Sequence, residues 1–301
     1  MQQHDWSGVF SAITTPFRED LSVDHAFLAR HVTWQLDHGV RGIVPLGSLG
    51  EGATLSAAEK IEVLATCRKA TAGRVPLIAG IGTLSTADAV ALAREAQRVG
   101  CDGLMVLPPY VYRGDARETL AHMHAVIDAT PLSCMLYNNP IAYGTDVTPA
   151  QLGELARHGN LHAVKESSGD IRRVTEIIER HGDRFRVFVG MDDVIVEGIA
   201  AGAVGWIAGL VNALPDESVR LVDLALAGET DEARDLYHWF LPLLRLDTVP
   251  KFVQLIKLVQ QAVDMGSPRV RPPRLELEGA ELDRVMAVIR AQLSAVPQRT
   301  A

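Results

Sequence analysis

Residues 103–140 read GLMVLPPYVYRGDARETLAHMHAVIDATPLSCMLYNNP. The stretch opens on an apolar run without polar alternation, the signature of a strand buried on both faces of a parallel sheet. An amphipathic segment starting at Asp115 follows, and then a second apolar run ends in Tyr137. Strand, crossover helix, strand is one βα unit and the start of the next.

Working outward in both directions, the same unit recurs. Strand candidates fall at 8–17, 42–47, 76–82, 103–108, 131–137, 162–166, 185–190 and 205–210. Helical patterns lie at 24–38, 56–71, 85–99, 115–129, 148–157, 170–181, 193–201 and 216–227. Ser56 with Glu59 is a capping box and Ser85 with Asp88 is close to one. Gly39, Gly100, Gly159, Gly182 and Gly228 sit where helices should stop. Eight such units predict a (β/α)8 barrel, an α/β TIM fold, over 1–228. A doubly wound open sheet would show a glycine-rich phosphate loop after its first strand, and residues 10–18 have none. Helical patterns at 230–244, 249–263 and 279–293 predict a C-terminal helical extension over 229–301, packed on the barrel or a neighbouring subunit as part of the same domain. Its SPRVRPP segment, 267–273, reads as a rigid, solvent-exposed connector.

With 48% hydrophobic and 22% charged residues the composition is that of an ordinary globular protein. A formal charge of −8 disfavours nucleic acid, which needs a basic face. No leader-like segment opens the chain and no apolar run approaches membrane-spanning length, so a soluble, cytoplasmic protein is expected. Three scattered cysteines, Cys67, Cys101 and Cys134, predict buried reduced thiols rather than disulfides or a zinc site.

In such a barrel, function gathers at the C-terminal ends of the strands. Lys165 ends an apolar strand there. Burial disfavours an ammonium, and a neutral amine can attack a ketone to form an imine. The competing reading is a structural lysine paired with Glu166 or another carboxylate. Gly47-Ser48-Leu49-Gly50-Glu51-Gly52 follows the second strand. Its backbone N–H groups can point at an anion such as a carboxylate, and Ser48 can add a hydroxyl; a plain tight turn is the alternative. Tyr137 closes strand five and can shuttle protons, or is a buried tyrosine bonded to a carbonyl. Together the three supply an amine, a carboxylate nest and a proton relay at the ends of strands six, two and five. Asp192 and Asp193 read as a helix cap and an ion pair rather than a metal site.

The whole chain resembles the dihydrodipicolinate synthase/N-acetylneuraminate lyase family. The likeness rests on Thr14-Thr15-Pro16-Phe17, the 47–51 loop, Pro108-Pro109-Tyr110, Tyr137-Asn138-Asn139-Pro140, Val164-Lys165-Glu166-Ser167 and Gly190-Met191-Asp192-Asp193. It implies Lys165 as Schiff-base lysine, Tyr137 as relay tyrosine, and Ser48 beside the substrate carboxylate. Gly47, Leu49 and the backbone carbonyl of Ile207 become substrate contacts. It implies a 2-oxo acid substrate, no cofactor or metal, and a homotetramer with Tyr110–Tyr112 and the tail helices as candidate contacts.

Departures from the family pattern point to a branch. Leu49 replaces a second hydroxyl, Val111 stands where the synthases place a neighbouring subunit's tyrosine, and Ala142 stands where they carry an arginine. Leu49 and Val111 together are expected to break the synthases' hydroxyl relay. The segments at 137–147, 165–174, 202–212 and 250–258 resemble the dehydratase/deaminase branch, acting on 1-pyrroline-4-hydroxy-2-carboxylate or 2-keto-3-deoxy sugar acids. The alternatives are a 4-hydroxy-tetrahydrodipicolinate synthase, a metal-dependent aldolase barrel, and a catalytically inactive barrel that binds a keto acid.

Overall fold

Eight short parallel strands form the sheet: β1 Gly8–Ser11, β2 Gly42–Ile43, β3 Ile78–Ile81, β4 Gly103–Val106, β5 Ser133–Asn138, β6 Leu161–Glu166, β7 Arg186–Val189 and β8 Gly205–Ala208. They come from a computed structural model that describes residues 1–295. The spatial order is β2-β1-β8-β7-β6-β5-β4-β3. A parallel bridge between Ile43 and Leu77 closes the ring. The hydrogen bonds from Ile43 N to Pro76 O and from Gly80 N to Pro45 O reinforce it. The strands are nearly all buried on both faces, as their unbroken apolar runs require.

Several predicted elements are longer than the observed ones. The 8–17 run pairs only to Ser11, and the 42–47 run only to Ile43. The remaining residues keep their apolar character because they are buried loop at the barrel mouth, not because they pair. The helices are α1 His25–Asp37, α2 Ala57–Thr71, α3 Thr86–Val99, α4 Ala116–Ile127, α5 Pro140–Tyr143, α6 Pro149–Leu155, α7 Arg172–His181, α8 Ile195–Ala200, α9 Pro215–Ala227, α10 Thr230–Leu244, α11 Phe252–Ala262 and α12 Gly279–Leu293. The Ser56/Glu59 capping box is present. The single turn α5 was not anticipated. It starts at Pro140, is capped by Asn139, and ends at Gly144, whose φ of 68° suits glycine.

Large rings fill the bottom of the barrel. Trp6, Phe10 and Phe188 interlock with centroids 5.3–6.1 Å apart. A Cβ on Gly42 would lie 2.5 Å from Phe10, and one on Gly205 would lie 2.5 Å from Phe188. Small residues therefore face the large ones, and the interior stays solid below while the C-terminal mouth remains open.

The C-terminal extension packs against this mouth. α11 is buried from Val253 to Gln260. The 267–273 connector is packed rather than solvent-exposed throughout. Val270 is buried, and the Arg271 guanidinium bonds Leu21 O and Glu59. Residues 296–301 of the predicted extension lie outside the described residues. Among the described residues, no helix is long and apolar enough to cross a membrane. Cys67, Cys101 and Cys134 are buried and unpaired, and burial raises all three thiols.

Candidate active site

A cavity of about 490 Å³ opens at the barrel mouth. Gly47, Ser48, Leu49, Tyr137, Lys165 and Ile207 all border it, so the amine, the loop and the phenol singled out in the sequence converge there.

Lys165 is reached along β6. Alternation sends its side chain inward and that of Glu166 the other way. Glu166 does not pair with it: Oε1 accepts from Ser168 N at 2.7 Å and Oε2 from Asn138 Nδ2 at 3.2 Å. Lys165 is 6% exposed, and its Nζ lies over the Tyr137 ring, 4.2 Å from the centroid. The side chain runs across Gly190, where a Cβ would lie 2.5 Å from Lys165 Cε and would also strike Ser167 Oγ.

The loop after β2 turns through two left-handed residues, Leu46 at φ 67° and Glu51 at φ 51°. Such a reversal turns backbone N–H groups toward one concavity. Those of Ser48 and Leu49 find no partner among the described residues. Glu51 is fully buried behind the loop. It accepts from Lys257 Nζ at 2.6 Å and from Arg271 N at 3.0 Å. The extension thereby anchors the loop from behind.

Ser48 keeps a phenol partner within its own chain. Its Oγ hydrogen-bonds to the Tyr143 hydroxyl, and Tyr110 borders the same cavity beside Tyr143. The Tyr143 ring stands edge-on to Tyr137 at 5.7 Å and lies 5.4 Å from Tyr110. Burial raises the Tyr110 and Tyr143 hydroxyls, so both stay protonated donors. Val111, by contrast, is 88% exposed with φ 72°, and Tyr112 bonds Glu118 on the surface. The chain itself thus places two phenols beside Ser48, and Tyr110 is turned inward rather than offered to a neighbour. Sequence reasoning missed Tyr143. The only signal was an aromatic one short helical turn past the Tyr-Asn-x-Pro motif, where Gly144 can end the turn.

The opposite flank carries two acids. Asp192 is fully buried and accepts from Trp206 Nε1 at 2.9 Å and from the N–H groups of Gly209 and Leu210. It caps the turn after β8, not its own helix. Asp247 comes from the turn after α10 and borders the cavity. Burial raises Asp192 to about 6; burial and the Asp192 charge raise Asp247 well above the carboxylate range. Arg274, from the extension, borders the same cavity. Among the described residues, no group of three or more His, Cys, Asp or Glu is placed to hold a metal.

The model of the Dihydrodipicolinate synthetase family matches residues 5–292. The 4-hydroxy-tetrahydrodipicolinate synthase of Pelobacter propionicus is 33% identical over 286 residues, 95% of this chain and 98% of that one. The enzyme of the same name from Caldicellulosiruptor bescii is 36% identical over 272 residues, 90% of each chain. The crystal structure of dihydrodipicolinate synthase from Aquifex aeolicus superposes with a TM-score of 0.91 at 28% identity, covering 98% of this chain and all of that one. The 4-hydroxy-tetrahydrodipicolinate synthase of Methylacidiphilum fumariolicum gives a TM-score of 0.90 at 29% identity over 96% of this chain and 98% of its own.

Proposed function

The chain belongs to the dihydrodipicolinate synthetase family and is a lysine-Schiff-base lyase; from that premise we propose that Lys165 is its imine-forming amine and that it dehydrates or deaminates a 2-oxo acid or cyclic imino acid. The observation that carries the imine chemistry is the position of Lys165 Nζ, sealed, unpaired with Glu166, and facing a cavity over a phenol.

The substrate carboxylate docks on the Ser48 and Leu49 N–H groups, with Gly47 leaving the approach open and the Ile207 backbone on the far wall. The Lys165 amine adds to C2, water leaves, and an iminium forms. A cyclic imine instead gives up its ring nitrogen from C2. Tyr137, beside the Ser48–Tyr143 hydroxyl pair, moves the C3 proton toward solvent, and the resulting enamine expels the C4 hydroxyl as water. Hydrolysis returns the amine and frees the product, with ammonia where a ring nitrogen had been opened. The iminium is the electron sink, so this route calls for no metal or organic cofactor. Ala142 supports elimination over condensation, because no guanidinium from α5 can clamp a second carboxylate.

A second reading, condensation of pyruvate with aspartate semialdehyde, has the names of the relatives in its favour. Under it, Arg274 is the cation at the mouth that would hold the aldehyde's carboxylate. Borohydride reduction in the presence of pyruvate tests the shared chemistry: an adduct mass on Lys165 is expected, and its absence removes both readings. A panel of hydroxyproline-derived pyrroline, 2-keto-3-deoxy sugar acids, sialic acid, and pyruvate with semialdehyde separates them by product.

The homotetramer implied by the likeness has as support the exposed Val111, Tyr112 and Ile141 near the mouth, which a second copy would cover. Light scattering tests it. Three buried free thiols agree with a reducing, cytoplasmic setting.

A further inference from the structure

Elimination from an enamine needs two proton-transfer sites, one that takes the C3 proton and one that gives a proton to the departing oxygen. The phenols of Tyr137, Tyr143 and Tyr110 and the Ser48 hydroxyl cluster at the ends of β2, β4 and β5. Across the cavity, at the ends of β7 and β8, stand Asp192 and Asp247. Lys165 lies between the two flanks on β6.

The two carboxyls meet at Gly209, whose N–H donates to Asp192 and whose Cα packs against the Asp247 carboxyl, so two buried acids crowd one turn and a proton on one of them relieves the repulsion. Asp192 already accepts three N–H donors, from Trp206, Gly209 and Leu210, and these favour its anion. Burial and the Asp192 charge therefore favour the proton on Asp247. Asp247 Oδ1 is sealed from solvent and has no partner among the described residues, although the residue borders the cavity. An unpartnered buried acid oxygen is costly and calls for an account. The backbone makes room for it: a Cβ at Gly209 would lie 2.5 Å from the Asp247 carboxyl carbon. Lys165 is the cation within electrostatic reach of both acids, and Asp193 the further acid facing Asp247.

We propose that Asp247 is a catalytic acid of this site, giving its proton to the C4 oxygen as the C4–O bond breaks, with Asp192 as its positioning residue. The balance closes. The enamine electron pair forms the C3–C4 double bond and restores the iminium, the hydroxyl leaves as water with the Asp247 proton, and the C3 proton returns from the relay to Asp247 through solvent. The proposal rests on the elimination reading and names a group it otherwise lacks.

Asp247→Asn keeps the shape and removes the transferable proton. Borohydride trapping of pyruvate on Lys165, and exchange of pyruvate C3 hydrogens in D2O followed by NMR, report the imine and the relay; both are expected to stay near wild type. Dehydration of the panel member that the wild type turns over is expected to fall about 100-fold or more. In Asp192→Asn, loss of the neighbouring charge lets Asp247 ionise more readily, so the alkaline limb of the pH–rate profile moves to lower pH. Wild-type dehydration by Asp247→Asn overturns the proposal, as does equal loss of trapping, exchange and dehydration. If Asp247→Asn does not fold, the Asp192→Asn profile decides, and an unmoved limb overturns it. Failure of the wild-type protein to trap pyruvate or to eliminate from any panel member removes the elimination reading itself, and this proposal with it.

Discussion

Lys165 and Lys257 are both sealed within one barrel, 6% and 2% exposed, and each ammonium lies over an aromatic ring, at 4.2 and 4.5 Å. Apart from burial and the ring contact, the surroundings of the two Nζ atoms differ. Lys257 Nζ has three acceptors, Glu51 at 2.6 Å, Arg269 O at 2.7 Å and Thr15 O at 2.9 Å, one for each N–H. Lys165 faces a cavity, and its sequence neighbour Glu166 is bonded elsewhere. The ring under Lys257 is Phe17, which holds no proton; the ring under Lys165 is Tyr137. Burial alone therefore does not make a lysine reactive. A buried amine with every proton placed is a fastener, here tying α11 to the loop that carries Ser48. One with protons unplaced and a phenol beneath it is available for chemistry.

The largest expected effect tests that division directly. Lys165→Ala should lose turnover by about 10⁴-fold or more, yield no pyruvate adduct, and melt close to wild type. Turnover within tenfold of wild type would return Lys165 to the structural class. Next comes Lys257→Met, which strands the fully buried Glu51 carboxylate. Breaking a buried pair costs about 3–5 kcal/mol, to be read from urea unfolding. A loss under about 1 kcal/mol would mean that the three bonds to Lys257 do not carry the loop.

Gly190→Ala sharpens the same contrast without touching either amine. The added methyl must displace Lys165 Cε, 2.5 Å away, and Ser167. A displacement of about 1 Å in a reacting group costs on the order of 10²-fold in rate. The expected signature is reduced kcat with adduct formation slowed and the urea midpoint little changed. Wild-type kcat would show that Lys165 has room to spare.

These effects also mark what could be seen in the chain before folding. The eight βα units were legible because strands buried on both faces cannot alternate, and apolar runs such as 103–106 and 133–137 stand out. Lys165, Tyr137 and Ser48 were legible as polar groups at the ends of such runs. Strand ends were not, because buried loop after β1 and β2 is as apolar as the strands. Tyr143 was hidden by a one-turn helix that folds it back over the mouth. Asp247 was hidden further still: it comes from a turn 82 positions beyond Lys165, and only the packing of the extension brings it to the cavity. Val111 misled for a related reason. Its side chain faces solvent, and phenols from elsewhere in the same chain reach Ser48.

The smallest effect is a slope with pH. Asp192 ordinarily titrates near 3.8 and is raised to about 6 in the folded chain, chiefly by burial. An acid whose folded value is raised costs nothing below its unfolded value, where both states are protonated; between the two values the unfolded chain ionises first and stability falls. For Asp192 that fall runs from about pH 4 through about pH 6. The dyad should therefore cost the native state on the order of 2 kcal/mol at pH 7.5 relative to pH 4. Asp247 is held protonated in the fold well past the pH at which it ionises in the unfolded chain, so replacing it with Asn removes that penalty, and the variant should gain stability over wild type at pH 7.5 and little at pH 4. The Glu51–Lys257 pair, a matched ion pair, should show no such gain from neutralising a partner. Urea midpoints of wild type and Asp247→Asn at the two pH values measure the difference. Parallel curves would mean that the acids beside Lys165 are as well matched as those beside Lys257, and the contrast between fastener and reagent would then rest on acceptor count alone.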